Sequence, residues 1–282
     1  MTFYICRTCG VQHSESQGPP ASCVICDDER QYIPPQGQQW TTIAQLRDEG
    51  HRVEIRDLEE GLTGLGAVPK VGIGQRALLV QTQAGNFLWD CFGFIDQEGI
   101  SAVRERGGIH GIAMSHPHFY GVCVEWSRAF GGAPIYIPEA DREWVMRADP
   151  AIEYWRGTLQ ALPGVTLIQT GGHFEGSAVL HWAGGVGGRG ALLSGDSITV
   201  VEDRKSVSFM RSYPNEIPLS ARTVNQIVSS VDPYAFDRIY GGWWDRVIDR
   251  YGKAAVHRSA DRYIRWIHAD PESDTAQGFR RA

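Results

Sequence analysis

Two pairs of cysteines near the amino terminus constrain the fold of this chain more than any other feature. Cys6 and Cys9 form one C-x-x-C motif, and Cys23 and Cys26 form a second one after thirteen intervening residues. Four thiolates at this spacing can converge tetrahedrally on one metal ion, which predicts a structural Zn²⁺ or a single-iron site. Because so small a segment has few core-sized apolar residues, we expect the metal to supply its folding free energy.

The alternative for the same cysteines is a pair of disulfides or a redox C-x-x-C. Disulfides suit secreted proteins, and the stretch MTFYICRTCG lacks the basic and apolar regions of an export signal. No apolar run approaches the ~18 to 20 residues that span a bilayer. We therefore expect a metal site in a cytoplasmic protein that has no membrane partner.

The segment around these cysteines resembles a known metal-binding ribbon. The stretches YICRTCGVQH and PPASCVICDDERQYI are similar to the rubredoxin-type ribbon at the end of rubrerythrins, a family that binds iron. Asp27 follows Cys26 where the rubredoxin pattern usually has glycine, which removes one easy approach of a backbone N–H to sulfur. Zinc is therefore the first expectation for this site, and iron stays open.

Changes in composition and a stretch rich in Pro and Gly divide the chain into three segments. We expect the rubredoxin-like four-cysteine metal ribbon over residues 1–35, a linker with a short helix over 36–52, and one large domain over 53–282. The boundary between ribbon and linker falls in IPPQGQQW, residues 33–40, which is rich in Pro, Gly and Gln. Thr42 and Gln45 then form a capping-box signature that predicts the start of the short helix.

The large domain alternates between strand-like and helix-like stretches. The stretches VEIRD, RALLVQTQ, NFLWDCF, GIAMS, VTLIQT, SAVLHWAG and GALLSGDSITV predict strands, because they are apolar or β-branched and are punctuated by Gly and Asn. Helical periodicity is found in CVEWSRAFG, PEADREWVMRAD, PAIEYWRGTLQAL, ARTVNQIVSSV and AVHRSADRYIRWI. Two strand-rich blocks among helices predict a layered α/β sandwich.

Length and charge limit the kinds of partner. The 282 residues are 42% hydrophobic, enough for one sizeable core, and the formal net charge is −6 with a pI near 5.8. Lys and Arg are mixed with acidic residues and form no long cluster. We therefore expect a small-molecule substrate and no nucleic-acid partner, and the oligomeric state stays open, with a homodimer as one option.

Three histidines and an aspartate lie at the ends of predicted strands. His116 and His118 are two residues apart, so both imidazoles can point from a strand end into one pocket. His173 lies between glycines in QTGGHFEGS, and Asp196 closes the strand-like stretch ALLSGD. Three imidazoles and one carboxylate, each with glycine nearby, predict a Zn²⁺ or Fe²⁺ site.

These motifs, in this order, resemble the metallo-β-lactamase superfamily from about residue 53 to residue 270. The resemblance implies an αββα four-layer sandwich that holds one or two metals at its sheet edge. It also implies that His116, His118 and His173 are ligands of the first metal. Asp196 matches the carboxylate that bridges both metals, and Asp90, in NFLWDCFG, matches a residue that orients ligands.

The chain departs from the superfamily pattern at the second metal. The usual loop is H-x-H-x-D-H, but here Tyr120 and Gly121 stand in the places of Asp and His. The late family histidine is also missing, since Gly241, Gly242 and Trp243 occupy its neighbourhood. We therefore predict one metal, because a single remaining carboxylate is too few ligands for a second. We also expect that Asp and His restored in the loop would raise metal uptake.

A single metal with an open position predicts hydrolysis of a small carbonyl or ester-type substrate, because Zn²⁺ lowers the pKa of bound water towards ~7. With the usual loop Asp gone, Tyr120 is the first candidate to orient that water. Glu175 and Asp196 are further catalytic candidates. The polar loop SFMRSYPNEIPL predicts a pocket wall. The candidate pocket residues are Arg211, Tyr213, Asn215 and, from the later loop, Trp243.

Two other functions stay open. His116, His173 and Asp196 would also form the two-histidine, one-carboxylate arrangement of mononuclear non-heme iron oxidoreductases. Superfamily members similar to persulfide dioxygenase use one iron in this way, and the ribbon would then be an electron donor. The remaining alternative is a catalytically silent metal-binding protein that lost its activity with its second site.

Overall fold

The computed structural model of the chain describes residues 1–268. At the amino terminus three short strands form an antiparallel sheet in the order β2-β1-β3; they are β1 (Thr2–Cys6), β2 (Gln12–Ser16) and β3 (Trp40–Thr41). The first C-x-x-C motif lies at the turn between β1 and β2. The second lies on the short helix α1 (Val24–Asp27), whose N-cap is Cys23. The four cysteines therefore come from two turns that face each other.

The predicted short helix is confirmed as α2 (Ile43–Asp48). The side chain of Thr42 accepts a hydrogen bond from the Gln45 N–H, as the capping signature requires. Gly50, with φ of +84°, follows the end of the helix in a left-handed conformation that favours glycine.

A seven-stranded sheet follows, in the order β10-β9-β8-β7-β6-β5-β4. Neighbours from β4 to β7 are antiparallel, and those from β7 to β10 are parallel. Parallel pairing brings the carboxyl ends of β7 and β8 to the same edge of the sheet. The strands are β4 (Arg52–Glu59), β5 (Leu62–Val68), β6 (Ala77–Thr82), β7 (Gly85–Trp89), β8 (Gly111–Ala113), β9 (Ile135–Pro138) and β10 (Ile152–Trp155).

A second sheet of six strands has the order β11-β12-β13-β14-β19-β20. Two two-stranded pairs, β15 with β16 and β17 with β18, lie in the segment between β14 and β19. The strands are β11 (Thr158–Leu162), β12 (Val165–Gln169), β13 (Ala178–Trp182), β14 (Ala191–Leu193), β15 (Thr199–Val200), β16 (Val207–Ser208), β17 (Met210–Ser212), β18 (Ile217–Pro218), β19 (Arg238–Tyr240) and β20 (Val247–Ile248).

Helices cover the outer face of each sheet, so the large domain has four layers. Successive strand residues point to opposite faces: in β13, Val179 packs towards the helices and Leu180 packs between the two sheets. Helices α3 (Gln97–Glu105) and α4 (Cys123–Ala129) cover the first sheet together with the ribbon. Helices α6 (Ala221–Val231) and α7 (Gly252–His268) cover the second sheet, and α5 (Gly185–Gly188) is one short turn. The predicted αββα sandwich with an amino-terminal four-cysteine segment is confirmed.

Two predicted helices are wrong. The stretch PAIEYWRGTLQAL forms β10 and β11 instead, because Ile152 to Trp155 pair in parallel with β9 at the open edge of the first sheet. The stretch PEADREWVMRAD forms only a 3₁₀ segment, Glu139–Trp144. Local periodicity was outweighed by sheet pairing in the first case. Residues 269–282, the end of the segment expected over 53–282, lie outside the described residues.

Within residues 1–268, none of the helices combines the length and the apolar character that crossing a bilayer requires.

Candidate metal centres

The four ribbon cysteines form a compact donor group. The sulfur atoms of Cys6 and Cys26 lie 3.6 Å apart, and those of Cys9 and Cys23 lie 3.8 Å apart. All four sulfurs are within 4.8 Å of one another and buried. A tetrahedron with metal–sulfur bonds of ~2.3 Å has edges of about 3.8 Å, so the group fits one tetrahedral ion. All six cysteines of the chain are free, which removes the disulfide alternative.

Polar neighbours support this donor group. The side-chain amide of Gln38 donates from Nε2 to Cys6 Sγ at 3.2 Å, and its Oε1 accepts from the Cys23 backbone N–H at 3.2 Å. Hydrogen bonds from the neighbouring thiols, Cys26 first, lower the pKa of the Cys23 thiol. The thiolate is the form that binds metal, and within the group the shifts are opposed, since burial and the neighbouring thiols raise the pKa of Cys9 while the pKa of Cys23 falls.

A second donor group lies at one edge of the sandwich, where strands from both sheets end. His116 follows β8, His173 follows β12 and Asp196 follows β14, each within four residues of the strand end. Gly195, with φ of +52°, permits the close approach of the Asp196 loop to Ser115, because a Cβ there would lie 2.3 Å from the Ser115 hydroxyl oxygen. The sequence-predicted ligands are thus brought together from three separate loops.

The four donors of this centre, His116, His118, His173 and Asp196, lie within 4.8 Å of one another. Asp196 Oδ2 is 3.4 Å from His116 Nε2 and 3.9 Å from His173 Nε2. All four side chains are buried, and the three imidazoles are at most 2% exposed. Such short distances between buried nitrogen and oxygen donors are those of ligands around one ion.

Burial favours the neutral form of two of the imidazoles, which is the form that metal binding needs. It lowers the pKa of His173 to about 3 and holds the pKa of His118 well below its usual range. Burial acts to raise the pKa of the Asp196 carboxyl, but interactions with the neighbouring His116, His173 and Thr199 outweigh burial, and the pKa lies below its ordinary value. His118, His173 and Asp196 are therefore in the protonation states that bind metal.

The Nε2 atoms of His116, His118 and His173 are buried and have no hydrogen-bond partner within residues 1–268. The Nδ1 atom of His173 lies 3.1 Å from the Met210 carbonyl oxygen, so Nδ1 carries the proton and Nε2 keeps a free lone pair. Buried polar atoms are normally satisfied. Three unpartnered nitrogens converging beside one carboxylate therefore fit a bound metal ion.

Asp90 fixes the loop that leads to the first histidine. Its backbone has φ of +63°, and its Oδ1 accepts the Ser115 backbone N–H at 2.7 Å. The Ser115 hydroxyl in turn lies 2.9 Å from His116 Nδ1. Burial raises the pKa of Asp90 to about 8. Asp90 thus contacts the backbone beside His116, in agreement with the orienting role expected for it.

The other two catalytic candidates have different surroundings. Tyr120 is buried and lines a void of about 20 Å³, and its hydroxyl has no hydrogen-bond partner among the described residues. The Glu175 carboxylate is 62% exposed and binds Arg30. Within residues 1–268, Glu175 is not a member of the donor group. That Tyr120 or Glu175 orients a water at the centre stays a prediction.

The four pocket candidates divide into two pairs. Tyr213 and Trp243 line a cavity of about 690 Å³, and Asp196 is the donor that reaches this cavity. Arg211 and Asn215 instead contact the segment after α1, through hydrogen bonds to Glu29 and Gln31. The predicted pocket loop is therefore partly a cavity wall and partly a contact with the ribbon.

Sequence reasoning missed two residues that connect the ribbon with this centre. Arg30 donates from Nε to the His173 carbonyl oxygen at 2.7 Å. Gln75 donates from Nε2 to the carbonyl oxygens of both Cys9, at 3.2 Å, and His118, at 3.1 Å. Neither residue belongs to a motif, so no local signal in the sequence pointed to them.

Comparisons with solved structures show which fold this is. The DIM-1 metallo-β-lactamase exposed to ceftazidime has a TM-score of 0.56 at 12% identity, covering 77% of this chain and 98% of that chain. FIM-1, a metallo-β-lactamase from Pseudomonas aeruginosa in a mono-zinc form, has a TM-score of 0.54 at 14% identity, covering 74% and 95%. A B3 metallo-β-lactamase with an active-site glutamic acid has a TM-score of 0.52 at 15% identity, covering 82% and 97%. The fold expected from the motifs is confirmed.

Sequence comparison identifies a relative along nearly the whole chain. A scan against models of protein families found no match. The uncharacterised protein YmaE of Bacillus subtilis (strain 168) is 49% identical over 272 residues, which cover 96% of this chain and 98% of YmaE. The chain therefore has a metallo-β-lactamase fold and belongs to the same family as YmaE.

Proposed function

We propose that this chain is a metal-dependent hydrolase that uses one metal ion at the centre formed by His116, His118, His173 and Asp196. The observation that carries the proposal is the convergence of three buried, unpartnered imidazole nitrogens beside one carboxylate. When bound there, Zn²⁺ or Fe²⁺ would supply a Lewis acid and a coordinated water of lowered pKa. The four-cysteine ribbon would hold a separate structural ion, with zinc as the first choice.

Space around the centre supports a single ion. Within residues 1–268 its donor group has four members, and the two loop positions of the usual second site are Tyr120 and Gly121. A Cβ on Gly121 would lie 2.4 Å from the Phe92 carbonyl oxygen, so a histidine does not fit there. We therefore propose that a histidine restored at Gly121 would strain the loop, while the effect of a restored Asp and His on metal uptake stays a prediction.

The cavity beside Asp196 supports a small-molecule substrate. Met210, Tyr213 and Trp243 give it apolar and aromatic walls. Trp243 is held in place because its Nε1 donates to the Ile73 carbonyl oxygen at 3.2 Å and its ring packs edge-on against Phe119 at 5.7 Å. A volume of about 690 Å³ lies within the usual range for ligand pockets.

Charge in the same cavity favours substrates without a negative charge. Besides Asp196, its lining includes the carboxylates of Glu202, Glu216 and Asp245. Its one lining cation, Arg246, is already paired with Glu202. An incoming anion would meet repulsion and no free cation among the described lining residues. Neutral esters, thioesters and lactones are therefore the proposed substrates, in a cytoplasmic enzyme.

The test compares neutral and anionic acyl substrates on metal-loaded protein. We expect turnover of 4-nitrophenyl butyrate and little turnover of the matching hemisuccinate ester. The His173→Ala variant should lose both turnover and the metal of the centre. The matched control is His181→Ala, a buried histidine whose Nε2 lies 2.8 Å from the Ala235 carbonyl oxygen, outside the centre. Equal turnover in the His173 variant would refute the proposal.

One observation favours a second function, iron-dependent oxidation. The side chain of Gln75 links the Cys9 and His118 backbones, so the ribbon ligand loop and the H-x-H loop contact one another through one amide. Such proximity suits a ribbon that donates electrons to an iron at the centre. Iron at both sites, with thiolate-to-iron absorption and oxygen uptake, would favour this function over hydrolysis. If neither substrate turnover nor oxygen uptake is detected, the catalytically silent metal-binding protein is the remaining alternative.

A further inference from the structure

A buried arginine of the ribbon contacts the loop that carries His173. Arg30 lies four residues after Cys26, and its side chain is 4% exposed. Its Nε donates to the His173 carbonyl oxygen at 2.7 Å, and its Nη2 donates to both Glu175 carboxylate oxygens at 3.1 Å. Its guanidinium lies over the Phe174 ring, 4.3 Å from the centroid. One side chain therefore contacts three consecutive residues of a metal-ligand loop.

The ribbon determines where this arginine points. Asp28 Oδ1 accepts hydrogen bonds from both the Arg30 backbone N–H and the Arg30 Nη1, each at 2.9 Å. Asp28 is the C-cap of α1, the short helix that carries the second C-x-x-C motif. The Asp27 N–H bonds back to the Cys23 carbonyl oxygen at 2.9 Å, which joins this turn to the donor group. The position of Arg30 therefore depends on the turn that a ribbon metal would hold.

The same segment also supports the acceptor that orients the His173 ring. That acceptor is the Met210 carbonyl oxygen, 3.1 Å from His173 Nδ1. The loop after Met210 is tied to the ribbon, because Asn215 Nδ2 donates to the carbonyl oxygens of Glu29 at 2.8 Å and Gln31 at 2.9 Å. Both the backbone and the imidazole orientation of His173 thus rest on the residues that follow α1.

We propose that Arg30 is a positioning residue for the metal centre, through which the ribbon holds His173 in its ligating orientation. The inference rests on the proposed function only in requiring that the centre binds a metal, and hydrolysis is not needed for it. Partners that orient metal ligands typically change metal affinity 10- to 100-fold when they are removed. It follows that the ribbon is a structural part of the centre.

The test is a Co²⁺ titration of the full chain carrying Arg30→Met, which keeps an unbranched apolar stem over Phe174 and removes every donor. Cobalt at the four cysteines gives thiolate charge-transfer absorption, which imidazole and carboxylate ligands do not give. Both sites give visible d–d bands, so binding at the imidazoles is followed as the increase in d–d absorption that occurs without an increase in charge-transfer absorption. We expect the dissociation constant at the imidazole centre to rise about 10- to 100-fold. The d–d bands should also shift, while the charge-transfer signal of the ribbon stays unchanged.

The matched control is Arg147→Met. The Arg147 side chain is also 4% exposed and also connects the ribbon with the large domain, through Gln12 and Glu125. We expect its cobalt affinity at the centre to stay within about threefold of the wild type. An unchanged Arg30→Met affinity, or an equal loss in both variants, would overturn the inference.

A second variant keeps the inference testable if Arg30→Met does not fold. Asn215→Ala removes an exposed side chain that donates to the ribbon backbone, and it should weaken cobalt binding at the centre in the same direction. Unchanged affinity in that variant would then refute the inference. If the wild-type chain binds no cobalt at the imidazoles, the proposed function fails as well. If the wild-type chain binds cobalt at the imidazoles and both variants bind it there with the same affinity, only the inference about Arg30 fails.

Discussion

Gly121 is a position where a single added carbon should have a clear effect. Its φ is +50°, and a Cβ there would lie 2.4 Å from the Phe92 carbonyl oxygen and 2.7 Å from the Phe92 nitrogen. Backbone hydrogen bonds restrict any adjustment, because the Gly121 carbonyl oxygen accepts from the Gln12 N–H at 3.0 Å and the Phe92 carbonyl oxygen accepts from the Val122 N–H at 3.1 Å. The added methyl group of Gly121→Ala would therefore clash with the Phe92 backbone, and these backbone hydrogen bonds would hinder the segment from moving away.

Two costs add up for Gly121→Ala. A non-glycine residue in the left-handed region costs about 1–2 kcal/mol. Overpacking against atoms that cannot move away costs typically ~1–3 kcal/mol. The free energy of unfolding should therefore fall by about 2–5 kcal/mol, a large part of the ~5–15 kcal/mol that stabilises a typical protein.

The chain offers a control that separates the two costs. Gly131 has φ of +73°, and a Cβ there meets nothing within 4 Å, so Gly131→Ala should lose only the ~1–2 kcal/mol of backbone strain. Urea unfolding of both variants at the same saturating zinc concentration gives the comparison. A Gly121→Ala loss within ~0.5 kcal/mol of the Gly131→Ala loss would refute the steric reasoning. By the same reasoning Gly121→His should bind no additional metal.

Two further predictions concern the metal and pH. His116→Ala should lower total metal from two ions per chain to one, the one in the ribbon, which elemental analysis against the wild type would measure; unchanged stoichiometry would contradict it. Burial raises the pKa of Asp141 to about 7, above its unfolded value of ~3.9, so the folded chain binds a proton that the unfolded chain does not. Stability should therefore rise as the pH falls from ~7 towards ~4, by up to about 4 kcal/mol. Asp141→Asn should lack this increment in urea unfolding at pH 5 and pH 8, and equal pH slopes in both proteins would argue against it.

The sequence indicated the candidate donors that the structure brings together, because they follow apolar stretches near a glycine or a histidine motif. Strand ends at one sheet edge meet in space, so spacing and resemblance together indicated His116, His173 and Asp196. The cysteine spacing was similarly informative, since two C-x-x-C motifs have few ways to fold other than around one ion. In both cases the information was local.

Predictions failed where contacts between distant residues decide the structure. Arg30 and His173 are 143 positions apart in the sequence, and no property of the local stretch DDERQY predicts the hydrogen bond between them. The stretch from Ile152 to Trp155 was predicted as helix because the spacing of its apolar residues fits both the helical and the strand period. Only the pairing with β9 makes it a strand.

The loop beyond His118 contacts the ribbon and also contains the two positions, Tyr120 and Gly121, at which the chain departs from the H-x-H-x-D-H pattern. The chain beyond His118 turns towards the ribbon, where the Gly121 carbonyl oxygen pairs with the Gln12 N–H and the Tyr120 ring lines a void beside Val11. Positions that would face a second ion are thereby used to pack the ribbon against the first sheet. Gln75 then fixes the His118 backbone from the ribbon side. If the centre binds one metal, as proposed, contacts with the ribbon support this loop in place of a second metal, and we expect the one-metal centre and the attached ribbon to occur together.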